Sequence, residues 1–205
     1  MELLLVRHAL PVRRELESGV ADPELSAAGR QQAEHLADYL AAERLHAIYA
    51  SPLQRARQTA EPIALSQELS VVIEDAVAEW DRNSNEYVPV EELKAENDPR
   101  WHALLNGEWP VDDESPDIFV RRCVDAIERL VDAHPSQKIA VVCHGGVINA
   151  YLAHVLGTPN SMGFFYPNYT SIHRVAAAGS GQRSIVTVNE TAHLRGTGLP
   201  TGLHQ

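Results

Sequence analysis

Glu2-Leu3-Leu4-Leu5-Val6-Arg7-His8-Ala9 is an apolar run that ends abruptly at an arginine and a histidine. A short apolar run bounded by charge is typical of a strand that is buried on both faces of a sheet. In open α/β sheets, chemistry takes place just beyond the carboxyl ends of such strands. Arginine supplies a planar cation that suits phosphate, and histidine supplies a nitrogen that is nucleophilic near neutral pH. We therefore place Arg7 and His8 at the functional edge of an α/β sheet.

A second apolar run, Lys138-Ile139-Ala140-Val141-Val142-Cys143, leads directly into His144-Gly145-Gly146. A single histidine at such a place is usually a structural residue. Two strands that each end in histidine, with Arg7 beside one and two glycines beside the other, favour chemistry instead. The glycines permit a tight turn into a helix and a close approach of backbone N–H groups to an anion.

Three segments together resemble the histidine phosphatase superfamily, which includes the cofactor-dependent phosphoglycerate mutases. They are Leu5-Val6-Arg7-His8-Ala9, Ser51-Pro52-Leu53-Gln54-Arg55-Ala56-Arg57-Gln58-Thr59 and Val142-Cys143-His144-Gly145-Gly146-Val147. They occur in the expected order, and the similarity spans about Leu3 to Val175. The resemblance implies a three-layer α/β/α sandwich with a mostly parallel central sheet and an inserted cap region.

The resemblance also implies roles for individual residues. His8 would attack phosphorus, and Arg7, Arg55 and His144 would surround the phosphoryl oxygens. Glu79 is the best match to the family's proton donor, and Asp81 is the backup. The expected catalytic residues are therefore His8, Glu79, His144, Arg7 and Arg55, and the expected substrate-binding residues are Arg7, Arg14, Arg55, His144 and Gly145. No metal and no cofactor is expected, because the arginines supply the positive charge.

Arg14 departs from the family pattern, in which a small polar residue contacts the phosphate at that place. It could bind a second anionic group of the substrate, or it could face solvent. The aromatic residues Tyr87, Trp101 and Trp109 are expected to pack a small local core in the cap rather than to contact substrate.

The sequence also contains signals for the starts and ends of helices. Ser26 is a plausible N-cap for a helix from Ala27 to about Glu43. Ser51 followed by Pro52 predicts an N-cap and a first helical position, which places Arg55 in the first turn. Ser115 followed by Pro116 predicts another helix start. A helix from about Val147 would close at Gly157.

The expected domain organisation is one histidine-phosphatase-like domain over residues 1–205. A cap insertion is expected at about residues 80–115, with short helices near 91–96 and 99–105, and a loose tail at about residues 189–205. Further strands are expected at 46–50, 69–73, 168–175 and 184–188.

The net charge, the apolar runs and the cysteine content limit the partners and the compartment that are expected. The formal net charge of −11 argues against general nucleic-acid binding. No run approaches the length of a membrane helix, and no secretory leader is expected at the N-terminus. With Cys123 and Cys143 as its two cysteines, the chain is expected in the reducing cytoplasm. A small phosphorylated substrate is expected, and relatives of this kind often form homodimers.

The leading hypothesis is a metal-independent phosphomonoester hydrolase that acts through a phosphohistidine. A cofactor-dependent phosphoglycerate mutase is the first alternative, although the sequence after Glu79 does not match that branch. A non-catalytic phosphate-binding protein is the second alternative. A metal-dependent hydrolase has little support, because no His-Glu-x-x-His motif and no paired-cysteine spacing is present.

Overall fold

In a computed structural model that describes residues 1–106, 114–158 and 163–203, strand β1 (Glu2–Arg7) lies inside a six-stranded sheet. The other strands of this sheet are β3 (Ala47–Ala50), β4 (Val71–Ile73), β6 (Lys138–Cys143), β7 (Ile172–Ala177) and β8 (Arg183–Glu190). The strand order is β4-β3-β6-β1-β7-β8. The first four of these are mutually parallel, and β7 is antiparallel to both of its neighbours. A separate pair joins β2 (Arg14–Glu15) to β5 (Glu86–Tyr87).

Helices cover both faces of the sheet. Alternate side chains of β1 point to these opposite faces and therefore pack in two separate cores. The helices are α1 (Ala27–Leu40), α2 (Gln54–Ser66), α3 (Val90–Ala95), α4 (Pro99–Leu105), α5 (Pro116–Ala133) and α6 (Gly145–Leu156). Leu4 and Val6 pack in one core with residues of α1 and α2. Leu3 and Leu5 pack in the other core with residues of α5 and α6. The predicted α/β/α sandwich with a mostly parallel sheet is confirmed.

Two of the predicted helix starts carry the expected caps. The hydroxyl of Ser26 accepts a hydrogen bond from the N–H of Gly29 at 3.0 Å, and that of Ser115 accepts one from Ile118 at 3.4 Å. Helix α6 ends at Gly157, whose φ of 65° is the left-handed conformation that glycine adopts readily. Helix α1 ends at Leu40, three residues before the predicted end.

The predicted N-cap at Ser51 is wrong. Helix α2 begins at Gln54 with Leu53 at the N-cap position. Ser51 still belongs to the sheet edge, because its N–H donates to the carbonyl of Val142 at 3.0 Å. This bond holds Ser51 beside the end of β6, and the helix begins only at Gln54. Arg55 nevertheless lies in the first turn of α2, as predicted.

The predicted loose tail is also wrong for residues 189–203, and residues 204–205 lie outside the described part of the chain. Leu194 is buried, and the carbonyl of Thr201 accepts a hydrogen bond from Tyr169 at 3.0 Å. The carbonyl of Pro200 accepts a hydrogen bond from the side chain of Gln32. The polar backbone of this segment is thus paired with the body of the protein, which its composition alone did not reveal.

The segment predicted as a cap contains a short 3₁₀ turn at Trp80–Asn83, strand β5 and the small helices α3 and α4. Both predicted cap helices are therefore present, and residues 107–113 lie outside the described residues. In the three described ranges, no helix combines the length and the apolar character needed to cross a bilayer.

Candidate active site

The parallel pairing of β1 with β6 brings the two predicted histidines together. Arg7 is in register with Cys143, and the N–H of His8 donates to the Cys143 carbonyl at 2.9 Å. The imidazole rings of His8 and His144 consequently lie with their centroids 5.1 Å apart. Both rings are buried. The expectation that strand ends far apart in sequence converge at one sheet edge is confirmed for this pair.

His8 is held as a neutral imidazole with a defined tautomer. Burial lowers its pKa well below the usual value, and the charges of Arg55 and Arg7 lower it further. Its Nδ1 lies 2.8 Å from the carbonyl oxygen of Ala9, which can only accept a hydrogen bond. Nδ1 therefore carries the ring proton, and Nε2 keeps the lone pair that a nucleophile needs.

His144 is fully buried, and its Nε2 lies 2.7 Å from the hydroxyl oxygen of Ser51. Burial and the charge of Arg55 lower the pKa of His144 well below its usual value, so this ring is neutral as well. The Ser51 oxygen already accepts from the N–H of Leu53 at 3.3 Å. Its hydroxyl proton can therefore go to Nε2, which leaves the ring proton of His144 on Nδ1.

Arg7 is held by aromatic rings and by one carbonyl. Its Nη1 donates to the carbonyl of Pro167 at 2.6 Å. Its guanidinium carbon lies 4.2 Å from the ring centroid of Tyr169 and 4.7 Å from that of Tyr166. Cation–π contacts of this kind hold a buried charge without neutralising it. The positive charge thus remains available to an anion.

Arg55 reaches the same site from the first turn of α2. Its side chain is almost fully buried and packs with its guanidinium carbon 4.6 Å from the ring centroid of Tyr87. One terminal nitrogen donates to a carboxylate oxygen of Asp81 at 2.8 Å. This ion pair fixes the plane of the guanidinium, since charged groups in a buried site must be paired or hydrogen-bonded.

Three buried nitrogens of this cluster have no hydrogen-bond partner among the described residues: Nε of Arg7, Nε of Arg55 and Nδ1 of His144. Buried donors are nearly always paired, so an unpaired set in one place indicates a site for a ligand. All three can donate, and two belong to cations. The arrangement is complementary to an anion with several acceptor oxygens, such as a phosphoryl group.

Glu79 lies beside this anion site in a form suited to proton transfer. Its carboxylate accepts hydrogen bonds from the N–H of Gly146 at 2.8 Å and of Trp80 at 3.1 Å. Burial raises its pKa to about 7, and the negative charge of Asp81 adds to the effect. A carboxyl group with such a pKa can give up or take a proton near neutral pH.

A cavity of about 790 Å³ opens over these residues. Its wall includes Arg7, His8, Arg55, Glu79 and Gly145, whereas His144 lies buried next to His8. Arg14 is not part of the wall. Its guanidinium pairs with Glu24 and donates to the carbonyl of Asp22 at 3.3 Å. The structure therefore does not bring Arg14 to the site.

The sequence matches the family model "Histidine phosphatase superfamily (branch 1)" over residues 3–191. The chain belongs to the histidine phosphatase superfamily. The resemblance that the three motifs predicted is thereby confirmed, and the match extends beyond the segment in which it was expected.

Similar proteins point to phosphatases. Phosphoserine phosphatase 1 of Hydrogenobacter thermophilus is 30% identical over 95% of this chain and 94% of its own length. Phosphoglycerate mutase-like protein 4 of Arabidopsis thaliana is 32% identical over 73% of this chain and 68% of its own. A structure of phosphoserine phosphatase from Entamoeba histolytica in complex with 3-phosphoglyceric acid has a TM-score of 0.72 and 25% identity, covering 94% of this chain and 98% of that one. Phosphomonoester hydrolysis is the activity supported, and the mutase alternative is not better supported.

Several residues that shape the site of this phosphatase were not predicted from the sequence. Tyr87 and Trp101 line the cavity, although they were expected to pack a local core, and Trp109 lies outside the described residues. Tyr166 and Tyr169 flank Arg7 from a segment without a recognisable motif. Ser51 lies in one of the three quoted motifs, but the serine followed by proline suggested a helix cap rather than a contact with His144.

Across residues 1–106, 114–158 and 163–203, no cluster of three or more His, Cys, Asp or Glu side chains is placed to hold a metal ion. Both cysteines are free and buried.

Proposed function

We propose that this phosphatase hydrolyses a small phosphate monoester without a metal ion, through a phosphohistidine formed on Nε2 of His8. The observation that carries the proposal is the set of unpaired buried donors on Arg7, Arg55 and His144 around a neutral, oriented His8. These groups offer positive charge and hydrogen bonds where a phosphoryl group would develop negative charge.

The first half-reaction forms a phosphorus–nitrogen bond and breaks the ester bond. The lone pair on Nε2 of His8 attacks phosphorus, and the ester oxygen leaves with the bonding pair. Glu79, protonated when its pKa is near 7, gives its proton to that oxygen. Arg7 and Arg55 stabilise the charge on the transferring phosphoryl oxygens, and His144 donates through Nδ1.

The second half-reaction reverses these roles. The ionised Glu79 takes a proton from a water molecule, whose oxygen attacks phosphorus. The phosphorus–nitrogen bond breaks, its electron pair returns to Nε2, and inorganic phosphate leaves. His8 and Glu79 are then both in their starting protonation states. One carboxyl group therefore serves as acid and then as base, which requires a pKa near the working pH.

Hydrolysis of p-nitrophenyl phosphate in excess EDTA tests the proposal. We expect full activity with EDTA present, and a loss of at least about 10³-fold in His8→Ala, because the nucleophile is gone. His35→Ala is the matched control, since His35 is an exposed histidine on α1. Activity of His8→Ala at the parental rate, or activity that returns only when metal is added, would refute the proposal.

A further inference from the structure

Beyond the phosphate-binding end, the wall of the cavity is largely apolar. The cap and the segment after α6 supply this part of the wall, with side chains that include Val88, Val90, Leu93, Trp101, Leu104 and Phe165. Leu93 is itself buried. A cavity of about 790 Å³ is much larger than a phosphoryl group needs. The remaining space thus lies against aromatic and aliphatic surface.

The charges on the wall are unfavourable to a second anionic group. The cations among the described lining residues are Arg7, Arg55 and Arg100, and the first two belong to the phosphate site. Arg100 is already engaged by two carboxylates, Glu86 at 2.9 Å and Asp98 at 2.7 Å.

Acidic residues outnumber the remaining cation on this wall. Besides Glu79 and Asp81, the lining includes Glu86 and Glu114. Glu86 pairs with Arg100 and Glu114 pairs with Arg122, so neither arginine is left unpaired for a substrate carboxylate. The segments 107–113, 159–162 and 204–205, which fall outside the described residues, contain no lysine or arginine. They therefore add neither of these two cations to the site.

A substrate carboxylate in this cavity would lose its hydration and gain no unpaired cation. It would also stand near carboxylates of the wall, and like charges repel more strongly in a partly dry site. An apolar group would instead exchange water for contact with Trp101, Leu93 and their neighbours, which is favourable. The phosphate-binding end of the cavity thus favours an anionic group, whereas the rest of the cavity favours an apolar one.

We propose that the substrates are phosphate monoesters of bulky apolar or aromatic alcohols that carry no carboxylate. This inference rests on the proposed function and adds the nature of the leaving alcohol. It sets the chain apart from the phosphoserine phosphatases to which it is similar, because phosphoserine and 3-phosphoglyceric acid both carry a carboxylate.

Three aryl phosphates with leaving groups of similar acidity test the inference: phenyl phosphate, 2-naphthyl phosphate and 3-carboxyphenyl phosphate. We expect kcat/KM for the naphthyl ester to exceed that for the phenyl ester by about tenfold, as an added apolar group in a fitted pocket does. The carboxylated ester should fall about tenfold or more below the phenyl ester, because its charge stays unpaired. Equal or inverted preferences in either comparison overturn the inference.

Two variants test the cause of each preference. Trp101→Ala should bring the naphthyl-to-phenyl ratio of kcat/KM toward one, whereas Tyr39→Ala, which removes an aromatic ring from outside the cavity wall, should keep the parental ratio. Glu86→Gln releases one partner of Arg100 and should shrink the penalty on the carboxylated ester about threefold. Unchanged ratios in both cavity variants would contradict the inference.

Failure of the inference is distinct from failure of the proposed function. If phenyl phosphate is hydrolysed and His8→Ala abolishes that hydrolysis, the proposed function stands whatever the order of the three esters. If none of the three esters is hydrolysed in a His8-dependent way, the proposed function itself is wrong.

Discussion

The carboxylate of Glu79 occupies the space in which a side chain at position 146 would begin. The N–H of Gly146 donates to this carboxylate at 2.8 Å. A Cβ atom added to Gly146 would lie far closer to Oε1 of Glu79 than van der Waals contact permits, and 3.1 Å from its Cδ. The second glycine of the His144-Gly145-Gly146 motif therefore positions the proposed proton donor, in addition to permitting a tight turn.

Gly146→Ala should displace Glu79 and impair proton donation. We expect kcat/KM for an alkyl phosphate, whose leaving oxygen needs a proton, to fall about 10²-fold or more. The loss for p-nitrophenyl phosphate should be smaller, because its leaving group departs without a proton. Steady-state kinetics on the two esters measures the difference.

Gly179→Ala is the control, since an added Cβ there meets no atom within 4 Å. An equal loss for both esters in Gly146→Ala would show that the substitution acts on folding rather than on Glu79.

The pH dependence should follow the raised pKa of Glu79, which is about 7. Ester cleavage needs the protonated form, so kcat/KM for an alkyl phosphate should fall about tenfold per pH unit above that value. His8 does not set this limb, because its pKa lies well below the usual range. Glu79→Gln should lower the rate and remove the alkaline limb.

Asp81→Asn separates Glu79 from Asp81 as the proton donor. The negative charge of Asp81 helps to raise the pKa of Glu79, so its removal should move the alkaline limb of kcat/KM to lower pH while activity persists. Loss of kcat/KM on alkyl phosphates, with retained kcat/KM on p-nitrophenyl phosphate, would instead assign the proton donor to Asp81.

Ser51 should act as a positioning residue for His144. Without the hydroxyl at 2.7 Å from Nε2, the ring proton is no longer directed to Nδ1. We expect Ser51→Ala to lower kcat about tenfold and to weaken inhibition by inorganic phosphate, since Nδ1 then donates less often. Ser51→Thr, which keeps the hydroxyl, should have the parental kcat and the parental inhibition by inorganic phosphate.

Ser66→Ala is the matched control, because Ser66 lies at the far end of α2 and its hydroxyl donates to the Ile63 carbonyl. Parental phosphate inhibition in Ser51→Ala would mean that the serine has no part in fixing the tautomer.

The two buried arginines should each be essential for transition-state stabilisation. Arg7→Ala or Arg55→Ala should lower kcat/KM by about 10²–10³, as the loss of a preorganised charge in a dry site does. Arg57→Ala provides a control on the same helix as Arg55, because Arg57 is exposed. Comparable losses in Arg57→Ala and Arg55→Ala would point to a helix defect rather than to the loss of phosphate contacts.

Much of the site could be predicted because parallel strands align their carboxyl ends. The apolar runs of β1 and β6 placed Arg7, His8 and His144 at one edge, and the sheet register confirms their proximity. Arg55 followed from its place in the first turn of α2. The placement of these residues depends on local patterns and on one general rule of sheet topology, whereas the role of Arg55 came from the family resemblance.

The remaining features depend on long-range pairing that local patterns do not encode. Ser51 contacts His144 because β3 pairs with β6, although the local sequence around Ser51 indicates a helix cap. Arg14 pairs with Glu24, whereas the sequence left open whether it binds a second anionic group of the substrate or faces solvent. The segment from 189 to 203 has a composition typical of a free tail, yet specific backbone hydrogen bonds fix it.

Alkaline quenching of the enzyme during turnover of a ³²P-labelled phosphate monoester, followed by peptide mapping, tests the central claim most directly. Phosphohistidine is stable in alkali and labile in acid, so the label should survive the quench and disappear on acidification. We expect the label on the peptide that contains His8, in the parental protein and in greater amount in Glu79→Gln, in which water is activated poorly. Rapid turnover with no label on His8, or with label on His144 instead, would contradict the account.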